Sequence, residues 1–194
     1  MRLIGALLLG MFVSTAVLAN DWSSLPAIKV TKTGLYMTPK EASEAKKTGG
    51  DKVLLVDIRT RAEAMFVGMP KQADALVPYV EPTEFMLEWD EKRSTYAVSL
   101  NNDFLPELQR RMAAKGLGKD DTSILLCRSG DRSSKAADFL SSQGFTKVYS
   151  VPEGFEGDVA KDGPQAGQRV VNGWKVAGLE WTYKLDKSKV YFQR

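Results

Sequence analysis

Ser123-Ile124-Leu125-Leu126-Cys127-Arg128-Ser129-Gly130-Asp131-Arg132-Ser133 runs from an apolar strand through a polar loop into a helix. The run 123–126 lacks the alternation of a half-exposed strand, so it reads as one covered on both faces. The helix predicted from Asp131 to Gln143 puts Ala136, Ala137 and Leu140 on one face, and Gly144 ends it. A strand turning directly into a helix is the repeating unit of a parallel sheet, and in open sheets of this kind ligands bind beyond the carboxyl ends of the strands. Cys127 stands at such an end.

The same alternation continues outward. Lys147-Val148-Tyr149-Ser150-Val151 reads as the next strand, and Val53-Leu54-Leu55-Val56 as an earlier buried one that stops at Asp57-Ile58-Arg59. Thr38-Pro39-Lys40-Glu41 is a capping box with proline at the first helical position, opening a helix that Gly49-Gly50 ends. Thr60 to Glu63 repeats the spacing and starts a second helix through Phe66, followed by a short strand, Ala75-Leu76-Val77, closed by Pro78. Leu105 to Lys115 is a further helix, ended by Gly116. Residues 79–105 hold no sustained period of 2 or 3.6 and read as an irregular insertion, and residues 158–194 as a C-terminal wrap anchored by Trp174 and Trp181. These readings predict an α/β fold: a central, mainly parallel sheet with helices on both faces, in one domain over residues 20–194.

Two features of the composition narrow the chemistry. The 194 residues include no histidine and one cysteine. Ser-His-Asp triads, Cys-His dyads, imidazole shuttles, His-ligated zinc, intramolecular disulfides and CxxC pairs are therefore excluded. A lone thiol is either a small buried hydrophobe or a reactive group.

The loop favours reactivity. Gly130 permits unusual backbone angles that turn successive N–H groups toward the sulfur, and the following helix adds its positive end. With Arg128 and Arg132 alongside, these groups stabilise a thiolate without an imidazole. Ser133 and Ser134 are first-turn residues able to hydrogen-bond the sulfur, and Asp131 is expected to cap the helix. Asp57, Arg59 and Glu63 are expected as an ion-pair and capping set beneath the loop, with Arg59 within possible reach of the pocket.

Cys127-Arg128-Ser129-Gly130-Asp131-Arg132-Ser133 resembles the active-site loop of the rhodaneses. Val56-Asp57-Ile58-Arg59 with Glu63 resembles that family's "D-x-R…E" segment, and Gly144-Phe145, Val148-Tyr149 and Gly154-Phe155-Glu156-Gly157 resemble the stretch that follows its loop. Gly173-Trp174-Lys175-Val176-Ala177-Gly178-Leu179 resembles the ending of many single-domain members. The resemblance implies a sheet of about five strands and a sulfurtransferase mechanism: Cys127 takes sulfur from a donor such as thiosulfate, holds it as a persulfide and passes it to a thiophilic acceptor. It also implies substrate contacts from Arg128, Ser129, Gly130, Asp131, Arg132 and Ser133, with no metal and no organic cofactor. Phosphatases related to rhodanese place an arginine after five intervening residues, where this chain has Ser133; its arginine follows four, at Arg132, and the tighter loop suits sulfur better than phosphate. The family's Gly-His-Ile-Pro-Gly-Ala stretch is replaced here by Val67-Gly68-Met69-Pro70-Lys71-Gln72-Ala73.

Residues 1–19 combine Arg2, an apolar stretch from Leu3 to Val13 and a small-residue ending at Val17-Leu18-Ala19, the layout of a cleaved secretory signal. Its removal takes the formal charge from +3 to +2, because Arg2 is its single charged residue. The expected location is the periplasm, with no stable membrane insertion after cleavage. Acids and bases are interleaved along the chain, which argues against a nucleic-acid-binding surface. The expected partners are a small anionic sulfur donor and an envelope protein that accepts sulfur. The alternative is a non-catalytic sulfur carrier or protein-binding module.

Overall fold

The computed structural model describes residues 20–83 and 86–192; the signal segment expected at 1–19 lies outside them. The strands are β1 (Val53–Asp57), β2 (Met69–Pro70), β3 (Ala75–Leu76), β4 (Val80–Pro82), β5 (Trp89–Asp90), β6 (Thr95–Tyr96), β7 (Val98–Leu100), β8 (Thr122–Leu126), β9 (Val148–Ser150) and β10 (Trp181–Thr182). The helices are α1 (Pro39–Gly49), α2 (Arg61–Val67), α3 (Phe104–Ala113) and α4 (Asp131–Ser142). No helix among the described residues is long and apolar enough to cross a membrane.

The central sheet is parallel, in the order β3-β1-β8-β9. It has four strands where about five were expected. The fifth position is held by a single parallel bridge, Tyr36 to Ser150. The left-handed turn at Gly34 (φ 65°) and the α1 cap at Thr38 leave too little extended chain between them for more.

Alternate residues of the strands feed two cores. Leu54, Val56 and Leu125 pack with Phe104, Leu108 and Met112 of α3 and Ala136, Ala137 and Leu140 of α4. Val53, Leu55, Ile124 and Leu126 face the other way, against Ala42 of α1, Ala64 of α2, and Phe155 and Trp174. Both faces are therefore covered by helices, which is why β1 and the core of β8 read as continuous apolar runs. The capping boxes form at both predicted places, Thr38 with Glu41 and Thr60 with Glu63.

Part of the insertion is ordered. β4 pairs antiparallel with β7 and β5 with β6, so the described residues 80–83 and 86–100 make a two-stranded finger that the irregular reading did not foresee. The finger carries Trp89 against Tyr96 on its outer part, both half exposed, so its pairs escape the core-facing periodicity by which strands are recognised. The wrap has little regular structure, yet Trp174 is fully buried and β10 pairs with β2.

Candidate active site

β1 and β8 end side by side, with Asp57 in register with Leu126 and Ile58 N–H donating to Leu126 O at 2.8 Å. This brings Ile58-Arg59 next to Cys127 at the carboxyl edge of the sheet. The chain then turns sharply: Gly130 adopts φ 96°, ψ −23°, a left-handed conformation that L side chains rarely take, and its N–H donates to Cys127 Sγ at 3.1 Å. Gly130 also presses on backbone, since a Cβ there would stand 2.1 Å from Pro152 O. Cys127 Sγ donates to Ser133 Oγ at 3.5 Å, and the Ser133 and Ser150 hydroxyls share a 2.8 Å hydrogen bond. The sulfur thus sits at the N-terminal end of α4, where an N–H and the helix dipole favour negative charge.

The loop is gripped from behind. Phe155 N–H donates to Cys127 O at 2.8 Å, and Glu156 and Gly157 N–H to Arg128 O at 3.0 and 3.2 Å. A Cβ on Gly154 would meet Arg128 and Ser129 backbone atoms at 2.5 Å, so this glycine exists for close approach. The wrap holds that segment in turn: Trp174 N–H donates to Gly154 O at 2.9 Å and Lys175 N–H to Phe155 O at 3.1 Å.

Charges around the sulfur are mostly paired. Arg132 donates to both oxygens of Glu63, each at 2.6 Å, and Glu63 also accepts from the Thr60 N–H at 3.0 Å. Burial opposes ionisation of Glu63, but the Arg132 hydrogen bonds and charge, with the Thr60 N–H, override it and hold its pKa at about 2. Arg59 and Asp57 form a fully buried pair, with Nε to Oδ1 at 2.9 Å and Nη2 to Oδ2 at 2.5 Å. Arg59 also lies 4.0 Å over the Phe155 ring and donates to Gly68 O, so its charge supports the loop from below and does not line an opening. Asp131 occupies the first turn of α4 between Lys135 (2.8 Å) and Arg93 of the finger (3.3 Å). The cap position it was expected to fill belongs to Gly130, which offers no side chain.

Cys127 is 1 % exposed, Gly130 and Ser133 are buried, Ser129 is half-buried and Arg128 is exposed. Arg128 forms no ion pair with a described carboxylate, whereas Glu63 and Asp131 are paired with Arg132 and with Arg93 and Lys135. Two participants were missed in the sequence. Ser150 bonds Ser133 from a neighbouring strand and Arg93 reaches Asp131 from the finger; each is remote in sequence from the residue it meets and carries no local signal. Among the described residues no group of carboxylates and Cys127 is arranged to hold a metal ion.

The rhodanese-like domain profile matches residues 38–161. An uncharacterised protein of Rickettsia rickettsii, homolog of RP600, is 28 % identical over 133 residues, which is 69 % of this chain and 85 % of that one. The thiosulfate sulfurtransferase GlpE of Tolumonas auensis is 36 % identical over 63 residues, 32 % of this chain and 55 % of that one. The crystal structure of Rv0390 from M. tuberculosis superposes with a TM-score of 0.57 at 31 % identity, covering 76 % of this chain and 96 % of that one. The cysteine loop, the strand that presents it and the segment that grips it all fall within the matched span, and the chain belongs to the rhodanese-like domain family.

Proposed function

We propose that this protein is a sulfurtransferase that carries sulfane sulfur on Cys127. The observation that carries the reading is the Gly130 N–H at 3.1 Å from Cys127 Sγ, at the start of a twelve-residue helix and at the carboxyl end of a buried strand. That arrangement stabilises a thiolate, and equally a persulfide anion, in a protein without histidine. In the proposed first half-reaction the thiolate attacks the outer sulfur of thiosulfate, the S–S bond breaks, and sulfite leaves with its electron pair. In the second, cyanide or a thiol takes the terminal sulfur and regenerates the thiolate. Arg128 attracts the anionic donor; Arg132, tied to Glu63, positions the loop and leaves its charge beside the sulfur. The thiosulfate sulfurtransferase activity named for the Tolumonas relative supports this choice of donor.

One observation favours the second reading, a binding module with an inert thiol: Cys127 is 1 % exposed. The two readings part on access and sulfur loading. Native mature protein incubated with thiosulfate should gain one sulfur by mass, removable by reductant and absent in Cys127→Ser. No adduct, with a thiol that resists alkylation in the folded protein, would overturn catalysis and leave the binding module.

We further propose export to the periplasm through residues 1–19, with an envelope protein as physiological acceptor. The intact mass of protein recovered from the cell envelope tests the first: it should begin at Asn20.

A further inference from the structure

Both edges of the central sheet are closed. Beyond β3 the Leu76 N–H donates to Lys189 O of the wrap at 2.8 Å, and beyond β9 Tyr36 makes its parallel bridge to Ser150. In the finger, β4, β5 and the residue before β5 carry Glu81, Pro82, Glu88 and Asp90, the proline and charges that keep an edge from pairing. The opposite edge, Tyr96-Ala97-Val98-Ser99-Leu100, has neither a charge nor a proline, and no described strand pairs with its outer side. Every residue of β7 is exposed.

The main chain of that edge is turned outward for bonding. Ala97 N–H donates to Glu88 O at 2.9 Å, Ala97 O accepts from the Thr83 N–H at 3.2 Å, and Asn101 N–H donates to Tyr79 O at 3.0 Å, so these residues bond inward. Successive residues of an antiparallel strand bond to opposite sides, which directs the N–H and C=O of Tyr96, Val98 and Leu100 to the open edge. The side chains of the same three share one face, where Tyr96 meets Trp89 edge-on at 5.8 Å. Trp89 is 52 %, Tyr96 53 %, Val98 41 % and Leu100 63 % exposed, so the unguarded edge also borders an uncovered apolar face.

We propose that β7 pairs antiparallel with β7 of a second copy of this chain, about a two-fold axis at Val98, joining the two fingers into one continuous sheet. Self-complementarity selects this occupant. Val98 stands opposite Val98 and Tyr96 opposite Leu100, each pair exchanging both N–H···O bonds, and no charge meets its own copy. The half-exposed side chains offer about 400–500 Å² per copy, or ~1,000 Å² over both with the strand backbone, the lower bound for a specific contact. That area makes a weak dimer, with a Kd of about 10–100 µM. The finger rises from the carboxyl edge of the sheet, where Tyr79 N–H donates to Ile58 O at 3.1 Å, and returns to the cysteine loop through Arg93 and Asp131. Pairing thus braces each finger beside a cysteine loop, and it is independent of the transferase reading.

Sedimentation equilibrium of the mature protein over about 1–500 µM should show a monomer passing into a dimer. Val98→Lys sets like charges against each other on the axis and should leave a monomer throughout, whereas Val98→Thr should keep the dimer. Val98 is exposed and belongs to neither core, so both variants should melt with the wild type at low concentration. The Val98 amide should exchange more slowly as concentration rises. A wild-type monomer at the highest concentration, or a dimer indifferent to Val98→Lys, would overturn the proposal. So would a monomer that sediments with phosphatidylethanolamine–phosphatidylglycerol vesicles and loses them on Val98→Lys, which would make the same face a membrane contact.

Discussion

At the residue scale, Glu63 joins the cap of one helix to the first turn of another, and its ionisation is the price of both contacts. Its pKa of about 2 lies below the ordinary carboxyl value of 4.5, so the stability it contributes is complete above about pH 4.5 and is lost as pH falls toward 2. The shift corresponds to about 3 kcal/mol. Wild-type protein should therefore lose about that much more stability than Glu63→Gln between pH 5 and pH 2 in urea melts. Equal acid sensitivity would show that Arg132 is not held as described. Gly130→Ala is the second test at this scale, because it needs φ 96° from an L residue and drives a methyl into Pro152 O. It should cost at least about 2 kcal/mol, read by thermal melting, and slow sulfur loading from thiosulfate by moving the N–H from the sulfur. The capping boxes and the cysteine loop were legible because their partners are three residues apart. Glu63 to Arg132 spans 69 residues, and no spacing rule reports such a pair.

Among the elements, the finger of β4 to β7 and the parallel sheet differ most in what supports them. Leu87 is 82 % and Trp89 52 % exposed, and the outer strands bury nothing in either core. Among the described residues, its side-chain links to the body beyond the β4–β7 base include the ion pairs Arg61 to Glu81 and Arg93 to Asp131. Such pairs contribute about 0–1 kcal/mol each. Hydrogen exchange should find the described amides of residues 86–97 opening far more readily than those of β1 and β8, which exchange only with global unfolding. Comparable protection in the two regions would show a support that the pairing does not contain. β1 and β8 were visible in the sequence because burial on both faces forces an unbroken apolar run. The finger was not, because exposed strands carry no such constraint, and its pairs are only two or three residues long.

Across the whole molecule, stability depends on a segment with almost no regular structure. Trp174 is fully buried, its indole N–H donates to Glu180 O at 3.1 Å, and its backbone holds the segment that grips the cysteine loop. Trp174→Ala should cost about 3–5 kcal/mol and, in a variant still folded at low temperature, also slow sulfur loading, since loop and core share this support. A folded variant with unchanged loading would uncouple the wrap from the site. The strand–loop–helix unit, the capped helices and the cysteine loop follow from local pattern, because hydrophobic period, caps and a glycine turn are set by neighbours a few residues apart. Only the tertiary structure decided that the sheet stops at four strands, that Arg132 pairs with Glu63, and that the C-terminal wrap holds the segment behind the cysteine loop. Those outcomes depend on through-space meetings of segments tens of residues apart, fixed by packing on a shared sheet edge and written in no single stretch of chain.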